Sequence, residues 1–95
     1  MSGESGMERR EIVFRGRVQG VGFRWAAQEI ARAHTVTGRI RNEPDGSVRL
    51  AVQGPPGEVA AVLAALREKM RGNILEEETV QSPVRELEEG FEIER

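Results

Sequence analysis

Glu11-Ile12-Val13-Phe14-Arg15-Gly16-Arg17-Val18-Gln19-Gly20-Val21-Gly22-Phe23-Arg24-Trp25 carries an alternating run into a helix-like run through a short glycine-rich loop. Ile12 and Phe14 alternate with polar neighbours, the period of a half-buried strand, which is predicted over residues 11–16. Beyond the loop, Phe23, Ala27, Ile30, Ala31 and His34 recur at three- and four-residue intervals and predict an amphipathic helix over residues 24–34. Between the two, Gly20 and Gly22 can take positive φ at little cost, so consecutive peptide N–H groups can turn inward as a nest for an anion. The loop delivers the chain to a helix N-terminus, where unpaired N–H groups and the helix dipole add positive potential. Arg24 falls in the first turn, and its planar guanidinium offers two parallel donors to a phosphoryl group. Glycines at this spacing serve close backbone packing equally well. The stretch is neither a P-loop, which would end in Gly-Lys-Ser/Thr, nor a dinucleotide fingerprint.

Working outward, residues 36–42 alternate again, with Val36, Gly38, Ile40 and Asn42 on one face and Thr37, Arg39 and Arg41 on the other. Pro44-Asp45-Gly46 supplies a turn, and residues 47–53 alternate Val48, Leu50 and Val52, so an antiparallel hairpin is expected. From residue 55 to about residue 71, Val59, Val62, Leu63, Leu66 and Met70 trace an apolar helical stripe, with Pro56 in the permitted first turn. A weaker strand is expected over residues 74–81, where Glu76-Glu77-Glu78 reads as a solvated charge run suited to a sheet edge. Phe91 and Ile93 alternate in a short last strand. The order βαββαβ plus a terminal strand predicts an α+β, ferredoxin-like sandwich, with two helices on one face of a mainly antiparallel sheet. In that topology the first strand lies in the sheet centre. The loop after it reaches the sheet end beside the second strand, where Arg24 and Asn42 can converge. The fold hosts enzymes, ligand-binding modules and RNA binders alike, so function rests on the site.

A chain of 95 residues is one domain with a modest core. Residues 1–8, lacking an apolar stretch, are expected to form a flexible leader, with Met7 a possible alternative start, and residues 9–95 a single domain. The chain has no cysteine and one histidine, His34, which gives no disulfide framework, no thiolate nucleophile and no metal cluster, so neither metal nor other cofactor is expected. No stretch approaches the length needed to cross a bilayer, and a cytoplasmic monomer is the expectation. The net charge of −2 hides an asymmetry: nine arginines between Arg9 and Arg49 face five acids from Glu8 to Asp45, whereas residues 50–95 hold five bases and ten acids. The basic half suits an anionic small molecule, although surface arginines are commonly just solvated. Nucleic acid is not the expected partner, because only Phe14, Phe23, Trp25 and Phe91 could stack with bases. His34 is expected to close the first helix and meet its dipole, and Trp25 to serve as packing or as a wall rather than to stack on a ligand.

Gly16-Arg17-Val18-Gln19-Gly20-Val21-Gly22-Phe23-Arg24, followed by Gly38-Arg39-Ile40-Arg41-Asn42 and Asp45-Gly46-Ser47-Val48, resembles the acylphosphatase family over about half the chain. The ending from Gly90 to Ile93 is similar to the family's last strand. The resemblance implies a small enzyme that hydrolyses carboxyl–phosphate anhydrides, in which one arginine binds phosphate and one asparagine positions water. Those roles fall on Arg24 and Asn42. An asparagine just before Glu43-Pro44-Asp45-Gly46 also suits a hairpin turn, and its pairing with Arg24 is what favours the functional reading. The peptide N–H groups of Gln19, Gly20, Val21, Gly22 and Phe23 are then expected to help bind the phosphoryl group. The implied ligands are a small acyl phosphate and, as product, inorganic phosphate. An alternative is a catalytically idle module of the same fold that binds a phosphorylated metabolite or a protein.

Overall fold

The computed structural model describes residues 6–94, so residues 1–5 of the expected leader lie outside the described residues. Seven elements follow in the expected order: β1 (Glu8–Gly16), α1 (Phe23–Arg32), β2 (Thr37–Asn42), β3 (Val48–Gly54), α2 (Pro56–Lys69), β4 (Ile74–Val80) and β5 (Phe91–Ile93). They build one five-stranded sheet in the order β4-β1-β3-β2-β5. β3 is antiparallel to both β1 and β2, β4 is antiparallel to β1, and only β5 is parallel, to β2. The charged strand β4 therefore takes an edge, as its sequence suggests.

The core lies between the sheet and both helices. Ile12 and Phe14 of β1, Ile40 of β2 and Val48, Leu50 and Val52 of β3 meet Ala27 and Ala31 of α1 and Val59, Leu63 and Leu66 of α2. Gly38 is required by close approach: a Cβ there would lie 2.0 Å from the Ala51 carbonyl oxygen and 3.1 Å from Phe91 Cε2. The glycine lets β2 lie against β3 while Phe91 of the neighbouring β5 fills the space beside it.

Three expectations are corrected. β1 begins at Glu8 rather than residue 11, because Glu8, Arg9 and Arg10 pair with Gly54, Gln53 and Val52 of β3, a register that the polar sequence does not announce. α1 ends at Arg32, leaving His34 outside the helix, where its Nδ1 lies 3.1 Å from Glu58 Oε1. The arginines are also less uniformly solvated than expected. Arg9 is buried on the sheet face away from the helices, where residues 81–90 cover it. There Glu88 accepts from Arg9 Nη1 at 2.8 Å and from Thr37 Oγ1 at 2.9 Å, while Gln53 exchanges two 2.8 Å hydrogen bonds with the Arg85 backbone. Arg9, Gln53 and Thr37 are cross-strand partners on β1, β3 and β2, so one polar row holds the covering segment. Of the acidic run in β4, Glu77 pairs with Arg67 and Glu78 with Arg15.

Candidate active site

β1 and β2 are each antiparallel to β3, so both point the same way and their C-terminal ends share one edge of the sheet. Gly16 ends β1 there and Asn42 ends β2, opposite Val48 of β3. The loop between β1 and α1 is fixed at its start and at its middle. Arg17 N–H donates to the Asn73 carbonyl at 2.9 Å, and Asn73 Nδ2 returns a 3.0 Å bond to the Arg17 carbonyl. Gln19 Nε2 donates to the carbonyls of Glu43 and Ser47, each at 2.9 Å, which braces the loop against the turn directly after Asn42. Val18, 1% exposed, anchors the loop in the core.

Gly20 (φ 76) and Gly22 (φ 79) take left-handed conformations, as the anion-nest reading requires. Gly22 is the N-cap of α1, and its carbonyl accepts the first helical bond from Ala26 N–H at 2.9 Å. Among the described residues the N–H groups from Val18 to Trp25 find no backbone acceptor. The first turn of α1 carries no acid and Gly22 offers no side-chain cap. Among the described residues the positive end of the helix is thus neither satisfied nor neutralised, and its donors face the loop as an anion site would require.

A cavity of about 250 Å³ opens at this point, lined by Gly20, Gly22, Arg24, Trp25, Asn42 and Ile93, with Val18 and Phe23 behind them. Arg24 is half-buried, and its Nη1 lies 3.5 Å from the Glu94 carbonyl; among the described residues most of the guanidinium fork has no other partner. Asn42 Oδ1 is buried and accepts no hydrogen bond among the described residues. A buried acceptor without a donor is uncommon and costly in a folded protein, and here it borders the cavity that holds Arg24. The neighbouring Glu43 is paired: a hydrogen bond from Arg41 holds its carboxyl below its ordinary value, Arg49 adds to the effect, and its negative charge is answered by these two guanidinium groups.

The sequence-predicted residues divide by role. Arg24, Asn42, Gly20 and Gly22 are brought together in one cavity. Phe23 enters it chiefly through its backbone, because its ring is 1% exposed and packs on Phe14 with centroids 5.2 Å apart. Gln19 spends its side chain on the turn, and Val21 is exposed outside the cavity lining, so each can contribute only a peptide N–H. Ile93 and the Glu94 carbonyl were not anticipated. Alternation locates the last strand, but no sequence signal states that it docks parallel to β2, which is what carries these groups to Arg24. Trp25, 61% exposed, is cavity wall and not core packing.

A second cavity, of about 160 Å³, gathers Arg9, Arg39, Arg41, Arg49 and Arg85, of which the first four are tied to Glu88, Glu94, Glu43 and Glu11 respectively, so most of its charge is answered internally. Among the described residues no three of His, Cys, Asp and Glu gather in a way that could hold a metal ion. Among the described residues no helix is long and apolar enough to cross a membrane.

Comparison with known proteins agrees with this architecture. The acylphosphatase family model matches residues 10–93. An acylphosphatase of Salinibacter ruber is 42% identical over 94 residues, covering 97% of this chain and 99% of the relative, and one from Clostridium acetobutylicum is 38% identical over 88 residues, covering 92% and 97%. The crystal structure of acylphosphatase from Bacillus subtilis superposes with a TM-score of 0.83 at 27% identity, covering 94% of this chain and 99% of that one. Motif, topology and near full-length relatives coincide, and the chain belongs to the acylphosphatase family.

Proposed function

We propose that this protein hydrolyses the carboxyl–phosphate bond of acyl phosphates. Arg24 and the N–H groups of residues 19–23 bind the phosphoryl group, and Asn42 positions the attacking water. The observation that carries the reading is Asn42 Oδ1, a buried acceptor that finds no donor among the described residues, beside Arg24 and a row of backbone N–H groups with no backbone acceptor there. Asn42 Oδ1 accepts from the water while Nδ2 donates to a phosphoryl oxygen, which fixes the nucleophile in line with the bond to be broken. The water oxygen bonds to phosphorus, the bridging P–O bond breaks, and its electron pair leaves with the carboxylate. That leaving group is a weak base, so no strong general acid is required. The water's proton passes to a phosphoryl oxygen, since no histidine or carboxylic acid lines the cavity. Arg24, the loop donors and the N-terminus of α1 stabilise the charge spread over the phosphoryl oxygens in a loose transition state.

Every group in this scheme comes from one chain, which supports a monomeric unit of function, and no step uses a metal. A single exposed aromatic ring, Trp25, lies beside the anion donors of this cavity, which supports a small molecule rather than a run of stacked bases as ligand. The lack of cysteine is consistent with the cytoplasm. The proposal is tested by hydrolysis of benzoyl phosphate in ¹⁸O-labelled water with a metal chelator present. Turnover that resists the chelator and delivers the label to phosphate is expected. Absence of turnover, or label in benzoate, would overturn it.

A further inference from the structure

The cavity of about 160 Å³ opens on the sheet face away from the helices, where Arg39, Arg41, Arg49 and Ala51 alternate with the core residues Ile40 and Leu50. Ala51 creates it. This residue lies on the central strand β3 between Glu11 of β1 and Arg39 of β2, and its neighbours along the same face are the long side chains of Arg49 and Gln53. A methyl group among long side chains leaves a hollow, which arginines surround. Their ion pairs do not use up their donors, since each guanidinium has five N–H groups. Arg41 gives Nε to Glu43 at 2.9 Å, and Arg49 gives Nη1 to Glu11 at 2.6 Å and Nε to Glu43 at 3.2 Å. Arg39 gives Nη1 to Glu94 at 2.7 Å, but its Nε is buried and makes no hydrogen bond among the described residues, lying 3.5 Å from Glu88 Oε2. Arg85 is held through its backbone, by two bonds with Gln53, and its guanidinium finds no carboxylate among the described residues.

We propose that this cavity is a second anion site, for a small molecule with two or more carboxylates, and that its occupation is felt at the active site through Glu43. Its donors are guanidinium forks on paired strands, which match a carboxylate with two parallel bonds, and the partners they already hold are carboxylates. Strands lie about 4.8 Å apart, so arginines on β2 and β3 present forks that one polycarboxylate can span. Joining two acidic groups in one ligand lets it compete with single glutamates tethered by the fold. The volume holds several waters, which suits a compact ligand and not a polymer. Arg41 and Arg49 together hold the Glu43 carboxylate, and the Glu43 carbonyl accepts the Gln19 bond that braces the phosphate loop. A ligand that draws Arg41 and Arg49 away loosens the turn directly after Asn42. This coupling rests on the acylphosphatase reading; the binding does not.

Citrate is the probe, titrated by calorimetry into wild type, Arg24→Ala and Arg85→Ala. Saturable binding is expected in wild type and in Arg24→Ala, with affinity about tenfold lower in Arg85→Ala, which loses charge-assisted hydrogen bonds and no internal ion pair. Absence of binding at millimolar citrate would overturn the site, as would binding lost in Arg24→Ala and kept in Arg85→Ala. With benzoyl phosphate as substrate, saturating citrate is expected to lower kcat severalfold while KM stays nearly constant, and Arg85→Ala to keep basal turnover but need about tenfold more citrate. Purely competitive inhibition, or a kcat that citrate leaves unchanged, would overturn the coupling. Wild type without turnover would overturn the acylphosphatase reading instead, and calorimetry would still decide the site.

Discussion

Gly22 stands at φ 79 as the N-cap of α1, where an added Cβ would meet nothing beyond its chain neighbours within 4 Å. A side chain there fits in space and is strained only in backbone conformation, which costs roughly 1–2 kcal/mol in the left-handed region. Gly22→Ala should therefore lower stability by about 1 kcal/mol in urea titration. Turnover should fall at least tenfold, because a shift of the Gly22 backbone re-aims the free N–H groups around it. Activity that drops only in step with the folded fraction would remove the loop donors from the mechanism. At this scale the sequence was informative where chemistry is local. The glycine pair, Arg24 and Asn42 stand out by type and spacing, and they share the cavity. Gln19 was legible only in part: its membership of the motif is visible, but its side-chain bonds to Glu43 and Ser47 depend on how the hairpin packs. The Glu94 carbonyl that meets Arg24 could not have been found, since a main-chain oxygen leaves no trace in the residue types.

The hairpin of β2 and β3 sets where Asn42 ends, and Gly38 sets how closely the hairpin and β5 pack. Because an alanine at Gly38 would drive its Cβ to 2.0 Å from backbone, the strand itself must move. Gly38→Ala should cost about 3 kcal/mol by denaturant unfolding, and activity should fall as β5 shifts away from Arg24. Near-wild-type stability would mean that β2 is not held as tightly as the packing indicates. All seven elements were legible from periodicity and turn residues, although β4 buries neither of its faces and β3 buries both. Their ends were less so. Glu8, Arg9 and Arg10 extend β1 through pairing with β3 alone, and α1 stops two residues short of His34. The parallel docking of β5 is a matter of tertiary fit that its three-residue pattern cannot encode.

Across the whole molecule, residues 81–90 fasten the sheet face opposite the helices through the buried pair of Arg9 and Glu88, whose side chains are 1% and 3% exposed. Nothing in the local sequence predicts this pairing, whose partners lie 79 positions apart. Removing one partner strands the other charge in the interior, so Glu88→Ala should cost about 3 kcal/mol, whereas replacing both by apolar residues should cost much less. Equal losses for the single and double variants would contradict that picture. Burial alone would push the Glu88 carboxyl up, but hydrogen bonds from Arg9 and Thr37 outweigh it and hold the group below its ordinary value. A depressed folded-state pKa contributes stability that is complete above the unfolded value and lost as pH falls through the folded one. Stability should therefore decline on acidification through the carboxylate range, and Glu88→Gln should flatten part of that decline; an unaltered acid profile would assign the loss to other groups. The loop, the end of β2 and the edge strand β5 are distant in sequence and meet only in the folded chain, around the cavity that holds Arg24 and Asn42. The most direct test is steady-state hydrolysis of benzoyl phosphate by Asn42→Ala, read alongside competitive inhibition by inorganic phosphate. A kcat at least about a hundredfold below wild type, with the phosphate inhibition constant within a fewfold, is expected if Asn42 positions water while Arg24 and the loop hold the phosphoryl group. Turnover equal to wild type would show that the water is held elsewhere.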